Sequence, residues 1–123
     1  LLKITLVAAL FFSSAQFAPE ASAQSPAFIA ALNLYYQNRT REAFDAFQKV
    51  VAEEPDNDAA YFYCALLVRQ PSKSQAFFKE ALAIDPGNFW YKYYLALSYA
   101  NSSDMEMASA LMEELIVEKT NRP

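Results

Sequence analysis

The sequence predicts an all-α fold, three antiparallel helix hairpins stacked one on the next, and three observations carry that prediction. Three stretches repeat one pattern of packing residues at a spacing of about 34 positions. From Ser25 to Lys119, helical patterns alternate with short polar breaks marked by proline, asparagine and aspartate. No segment keeps the strict apolar-polar alternation of a half-buried strand. A period in this range marks stacked helical units, whose usual product is a surface that holds another protein.

With 123 residues, 54% of them apolar and 15% aromatic, the chain has the length for one domain and the material for a core. Its formal charge is -4, with Asp and Glu spread along it, so nothing attracts a phosphate backbone or an anionic membrane surface. Nucleic acid is therefore not an expected partner.

Residues 1–23 read as a secretory signal peptide. Lys3 supplies the positive start, Ile4 to Phe12 form a nine-residue, mostly apolar run, and Ala21-Ser22-Ala23 offers a small-x-small cleavage site that leaves Gln24 first. That run is under half of the roughly 20 residues a spanning helix needs, and no cysteine follows the cleavage site to take a lipid. The expected product is periplasmic or secreted, with no stable membrane insertion after cleavage. Cys64 is the single cysteine, which excludes an intramolecular disulfide and fits a small buried apolar residue.

Ser25-Pro26 sets a capping side chain ahead of a proline in the first turn and opens a helix to about Gln37. Asn38 to Thr40 make a turn. The second helix runs from Arg41 to about Glu54 and is closed by Pro55-Asp56-Asn57. The third, from about Asp58 to Gln70, stops at Pro71, whose ring disfavours helical geometry in the residue before it. Ser72-x-x-Gln75 reads as a capping box for a fourth helix that ends near Ile84, at Asp85-Pro86-Gly87-Asn88. Asn88 caps the fifth, to about Ala100, and Ser103-x-x-Glu106 is a second capping box for the sixth, to about Lys119. Breaks this short make successive helices antiparallel neighbours.

Aligned by their packing seats, the first unit reads Ala27-x-x-Ala30-Ala31-x-x-Leu34, then Ala43-x-x-x-Phe47 and Pro55. The second reads Tyr61-x-x-Cys64-Ala65-x-x-Val68, then Ser74-x-x-x-Phe78, Ala81 and Pro86. The third reads Lys92-x-x-Leu95-Ala96-x-x-Tyr99, then Ala108-x-x-x-Met112. Ala31 to Ala65 is 34 residues and Ala65 to Ala96 is 31. The missing three are expected in the turn between Val68 and Ser74.

Over about Gln24 to Lys119 the chain resembles the tetratricopeptide repeat family, whose signature is W-x2-L-G-x2-Y, then A-x3-F, then P. Leu95, Tyr99, Ala43, Ala108, Phe47, Phe78, Pro55 and Pro86 match it. The tryptophan seat holds Ala27, Tyr61 and Lys92, and the glycine seat holds Ala31, Ala65 and Ala96, which keep it small where two helices approach closely. The resemblance implies a right-handed superhelical stack over 24–123, with repeats of about 24–57, 58–88 and 89–121. It also implies that the first helix of each hairpin lines the concave side.

The stripe beside the packing seats on those inner helices carries Phe28, Leu32, Tyr35 and Tyr36, then Phe62, Leu66 and Arg69, then Trp90, Tyr93 and Leu97. Tyrosine and tryptophan join an apolar body to a hydrogen-bonding tip and are typical interface anchors, so a protein or peptide partner is expected here. The same rings could instead be buried against each other in a tightly curved array. Some family members clamp a C-terminal carboxylate with lysine, asparagine and arginine seats. The matching positions here, Phe28, Leu32, Tyr63, Trp90 and Tyr94, supply no such charges.

The chain contains no histidine, so Ser-His and Cys-His nucleophile systems and ordinary zinc sites have no carrier. The densest carboxylates, Glu53, Glu54, Asp56 and Asp58, sit at a helix end and turn and read as a solvated surface. A non-enzymatic scaffold without cofactor or metal is the expectation. Two alternatives remain: a structural subunit that forms a homo-oligomer through the sixth helix with its Leu111, Met112, Leu115 and Ile116, and a wall-glycan binder stacking sugars on Trp90, Tyr93 and Tyr35.

Overall fold

The computed structural model describes residues 25–121. The expected leader and its expected cleavage residues Ala21, Ala23 and Gln24 lie outside the described residues. Six helices follow in order: α1 (Pro26–Tyr36), α2 (Thr40–Glu53), α3 (Asp58–Leu67), α4 (Pro71–Ile84), α5 (Phe89–Asn101) and α6 (Met105–Thr120). Each packs chiefly on its neighbours in sequence, so the α1/α2, α3/α4 and α5/α6 hairpins are joined through α2 on α3 and α4 on α5. This is an all-α solenoid, with no strand among the described residues. No helix among them is long and apolar enough to cross a membrane.

Side-chain caps start four of the helices. Ser25 Oγ accepts from the Phe28 N–H at 3.2 Å and Asn57 Oδ1 from the Ala60 N–H at 3.1 Å. Asn88 Oδ1 accepts from Trp90 and Tyr91, and Asp104 Oδ1 from Met107. Each satisfies N–H groups that the first turn leaves without partners.

Neither predicted capping box forms. Pro71 occupies the first position of α4, where its missing N–H costs nothing, and this puts Ser72 inside the helix. Ser103 takes a left-handed φ of 64° and hands the cap to Asp104.

The joints between hairpins repeat one device. In Glu54-Pro55-Asp56-Asn57 and Asp85-Pro86-Gly87-Asn88, the asparagine N–H donates to the carbonyl of the acidic residue three positions earlier, at 3.0 and 3.2 Å. Its side-chain amide donates to that residue's carboxylate, at 3.3 and 3.2 Å. Both asparagines are buried, with every hydrogen-bonding atom occupied in a compact clip.

The three missing residues of the middle unit come out of the helix, which corrects the expectation that they lie in the turn. All three hairpin turns have the same length, residues 37–39, 68–70 and 102–104. Helix continues for five residues past the small seat in α1 (Ala31 to Tyr36) and in α5 (Ala96 to Asn101), but only two past Ala65 in α3. Val68 is already extended, with ψ of 137°, and Gln70 is held extended ahead of Pro71.

This shortening changes how the helix end is satisfied. In the outer hairpins a left-handed residue, Asn38 or Ser103, turns the chain so that a following N–H reaches back: Arg39 to the Leu34 carbonyl at 3.0 Å, and Asp104 to that of Tyr99 at 2.9 Å. The middle hairpin lacks that turn, and the Ser74 hydroxyl donates to the Ala65 carbonyl at 2.8 Å. In every unit the carbonyl lies nine residues before the small seat of the second helix, occupied by Ala43, Ser74 and Ala108. Serine replaces alanine in the unit that needs a donor.

The glycine-seat alanines Ala31, Ala65 and Ala96 are buried, as are Phe47 and Phe78. Phe28, Phe47, Val50 and Cys64 gather into one core cluster, and Phe78, Leu95 and Tyr99 into a second. Phe47 stacks on Tyr63 with ring centroids 5.0 Å apart, tying α2 to α3. The Tyr91 hydroxyl donates to Asp58 at 2.8 Å, tying the third hairpin to the second, and Lys92 pairs with Glu118 inside the third.

Candidate protein-binding surface

The ten stripe residues divide by depth. Phe28 is 4% exposed, packed edge-on against Phe47 and Tyr63, and belongs to the core. Leu32, Tyr35, Phe62 and Leu66 are half-buried at the edges of the two clusters. Tyr93 and Leu97 are half-buried on α5. Tyr36, Arg69 and Trp90 are exposed, Tyr36 by 69% and Trp90 by 50%.

Inner helices α1, α3 and α5 meet mainly through rings. From Tyr36 the path runs to Tyr35 (5.4 Å between centroids), Tyr63 (5.1 Å) and Phe62 (5.6 Å). It continues to Tyr94 (5.4 Å), Tyr93 (5.6 Å) and Trp90 (6.0 Å). Each of these contacts is edge-to-face, the arrangement the ring quadrupole favours. The result is a continuous aromatic band across all three hairpins, with its middle half-buried and its two ends in solvent.

Tyr63 and Tyr94 link this band although the stripe omits them. They lie 31 residues apart, each two positions before a small seat, so the repeat spacing that aligns Ala65 with Ala96 aligns them too. Burial raises the Tyr63 hydroxyl well above its usual range, with Tyr36 and Tyr35 adding to the shift. Tyr91 is raised by burial and then by its bond to Asp58. Burial alone pushes the Cys64 thiol up to about 12, which keeps it protonated and unreactive near neutral pH.

A pocket of about 340 Å³ opens where α3 stops short. Its walls are Leu66 and Arg69 at and just past the end of α3, Phe78 on α4, and Tyr94, Leu97 and Ser98 on α5. A full-length α3 would lay its last turn over this part of α5. Leu66, Arg69 and Leu97 of the stripe therefore meet at a concavity rather than on a flat face. No group of three or more His, Cys, Asp or Glu side chains arranged to hold a metal ion occurs among the described residues.

No protein-family model matches the chain, and no curated protein matches it. Among solved structures it is similar to a chain of the "CopN-Scc3 complex", with a TM-score of 0.72 at 15% sequence identity. The match covers 79% of this chain and 59% of that one, so this chain spans less than two thirds of that neighbour's length. Likeness at this identity speaks to the fold. Together with six helices in three stacked hairpins, it gives the chain a tetratricopeptide-like helical-repeat architecture.

Proposed function

We propose that this protein is a non-catalytic scaffold that holds a protein or peptide partner against the aromatic band of its inner helices. The observation that carries this reading is the unbroken run of rings from Tyr36 to Trp90. Half-buried rings are already positioned, so a partner gains apolar contact without first ordering floppy side chains. The exposed ends, Tyr36 and Trp90, add area that is desolvated only on binding. That a solved structure of similar fold is titled as a complex agrees with a scaffold role. The sequence of residues 1–23 supports placing this work in the periplasm or the secreted space.

A photo-crosslinking residue at Trp90, incorporated in the native cell, should yield a discrete protein adduct. The same residue at Lys49, exposed on α2, should not. Equal adducts from both positions, or none from Trp90, would reject the band as the site. Cell fractionation of the same strain tests the compartment, and recovery in the cytoplasm would reject export.

A second reading has its own support. Met105, Met107, Ile116 and Val117 are exposed on α6, Ile116 by 64%, so self-association through this end is the alternative role. A mass by light scattering above that of the monomer, lost in Ile116→Lys, would favour it.

A further inference from the structure

The notch left by the shortened α3 has the features of a built site. Its lining is about half apolar and half polar, its mouth carries one cation, and no carboxylate lines it. The Arg69 guanidinium forms no ion pair among the described residues. Gln70 gives α4 no side-chain cap, so the positive end of that helix adds to the field of Arg69.

Deeper in, Ser98 is only 8% exposed, yet its hydroxyl has no hydrogen-bond partner among the described residues. The Ser98 carbonyl, by contrast, accepts from Gln75. The side chain is not among the buried polar groups left without a partner, so its hydroxyl reaches the pocket, where solvent or an occupant can meet it.

Size narrows the occupant. A dry apolar cavity of about 150 Å³ holds a benzene ring. The 340 Å³ here accommodates a leucine- or phenylalanine-sized side chain together with part of the backbone that bears it. With a net charge of -4 the chain as a whole repels anions, so a carboxylate is accepted only where the local field is positive.

We propose that this notch is an anchor pocket for an acidic peptide segment of a partner protein. An aliphatic or aromatic side chain enters between Leu66, Phe78 and Leu97, a backbone polar group of the peptide meets the Ser98 hydroxyl, and a flanking carboxylate pairs with Arg69. This rests on the scaffold reading and adds to it the chemistry of what is held and a place along the band.

The test is a titration of the purified, isotope-labelled protein, followed by amide NMR, with three tripeptides blocked at both ends: Glu-Leu-Glu, Lys-Leu-Lys and Glu-Ser-Glu. Glu-Leu-Glu should give saturable shifts centred on Leu66, Arg69 and Ser98. The other two should bind roughly tenfold more weakly or worse, one losing the charge pair and the other the apolar anchor. In Arg69→Glu, an exposed substitution, Lys-Leu-Lys should become the tighter of the two charged peptides. Ser98→Ala should weaken Glu-Leu-Glu without reordering the three.

Equal binding of the three peptides, or no saturable shift, would overturn the pocket. Shifts centred on Tyr36 and Trp90 with pocket amides unmoved would overturn it while leaving the scaffold reading intact. Crosslinking from Trp90 judges that reading separately.

Discussion

Ser74→Ala isolates the consequence of the short third helix. The hydroxyl is the sole donor to the Ala65 carbonyl, because α3 ends at Leu67 and no N–H continues the ladder there. Two costs are expected. The net value of the hydrogen bond is about 1 kcal/mol, and a buried carbonyl left without a donor adds about 1 to 2 kcal/mol more. Nothing is lost in packing, since alanine fills the same seat at Ala43 and Ala108.

The predicted loss is therefore about 2 to 3 kcal/mol, or roughly a 10 °C fall in Tm or more for a domain of this size. Urea unfolding followed by far-ultraviolet circular dichroism measures it. Ser74→Cys, nearly the same shape with a weaker donor, should fall between the two. Ala43→Ser is the control: its matching carbonyl, on Leu34, is already bonded by Arg39, so the added hydroxyl cannot stabilise. A Ser74→Ala protein as stable as the parent would show that water from the adjoining pocket satisfies the carbonyl, and would refute the account of why serine stands there.

Further outcomes follow from the core. Phe47→Ala removes the ring that meets both Phe28 and Tyr63, and should cost about 3 to 5 kcal/mol of unfolding free energy, read as a lower urea midpoint and a large share of the about 5 to 15 kcal/mol a domain has. Tyr63 and Tyr91 have raised folded values against about 10 in the unfolded chain. Folding therefore binds their protons more tightly, and their contribution is full below about pH 10 and is lost as pH rises through the higher folded values. The urea midpoint should drop steeply above about pH 10, and Tyr91→Phe should flatten that drop. Cys64, with its thiol pushed up to about 12, should resist a disulfide reagent near neutral pH until denaturant is added, and rapid reaction in the native state would contradict its burial.

The helices were legible because their seats repeat: Ala31, Ala65 and Ala96 mark the close approach in each hairpin whatever surrounds them. Their ends were less so. Ser72 and Ser103 both satisfy a capping pattern, but a pattern does not say that Pro71 claims the first helical position or that Asp104 competes for the cap. Counting residues located the deletion in the middle unit but assigned it to the turn, whereas it falls in the helix, because the outcome depends on where Val68 leaves the helix. The one sequence clue was a serine in a seat that is otherwise alanine. For the surface, helical periodicity gave the direction of Phe28 and Phe62 but not their depth, which is set by Phe47 and Tyr63 closing over one and by Phe78, Tyr91 and Tyr94 crowding the other. The pocket was not visible at all, because it is made by residues that the middle unit lacks.

The paired clips at Asn57 and Asn88 carry a kinetic consequence. Each shapes the joint between consecutive hairpins with bonds that span three residues, so this part of the geometry closes no long loop. Folds ruled by such near-in-sequence contacts form quickly, in microseconds to milliseconds. The joint after a hairpin can thus form as soon as the first turn of the next helix has been synthesised, without waiting for the finished array.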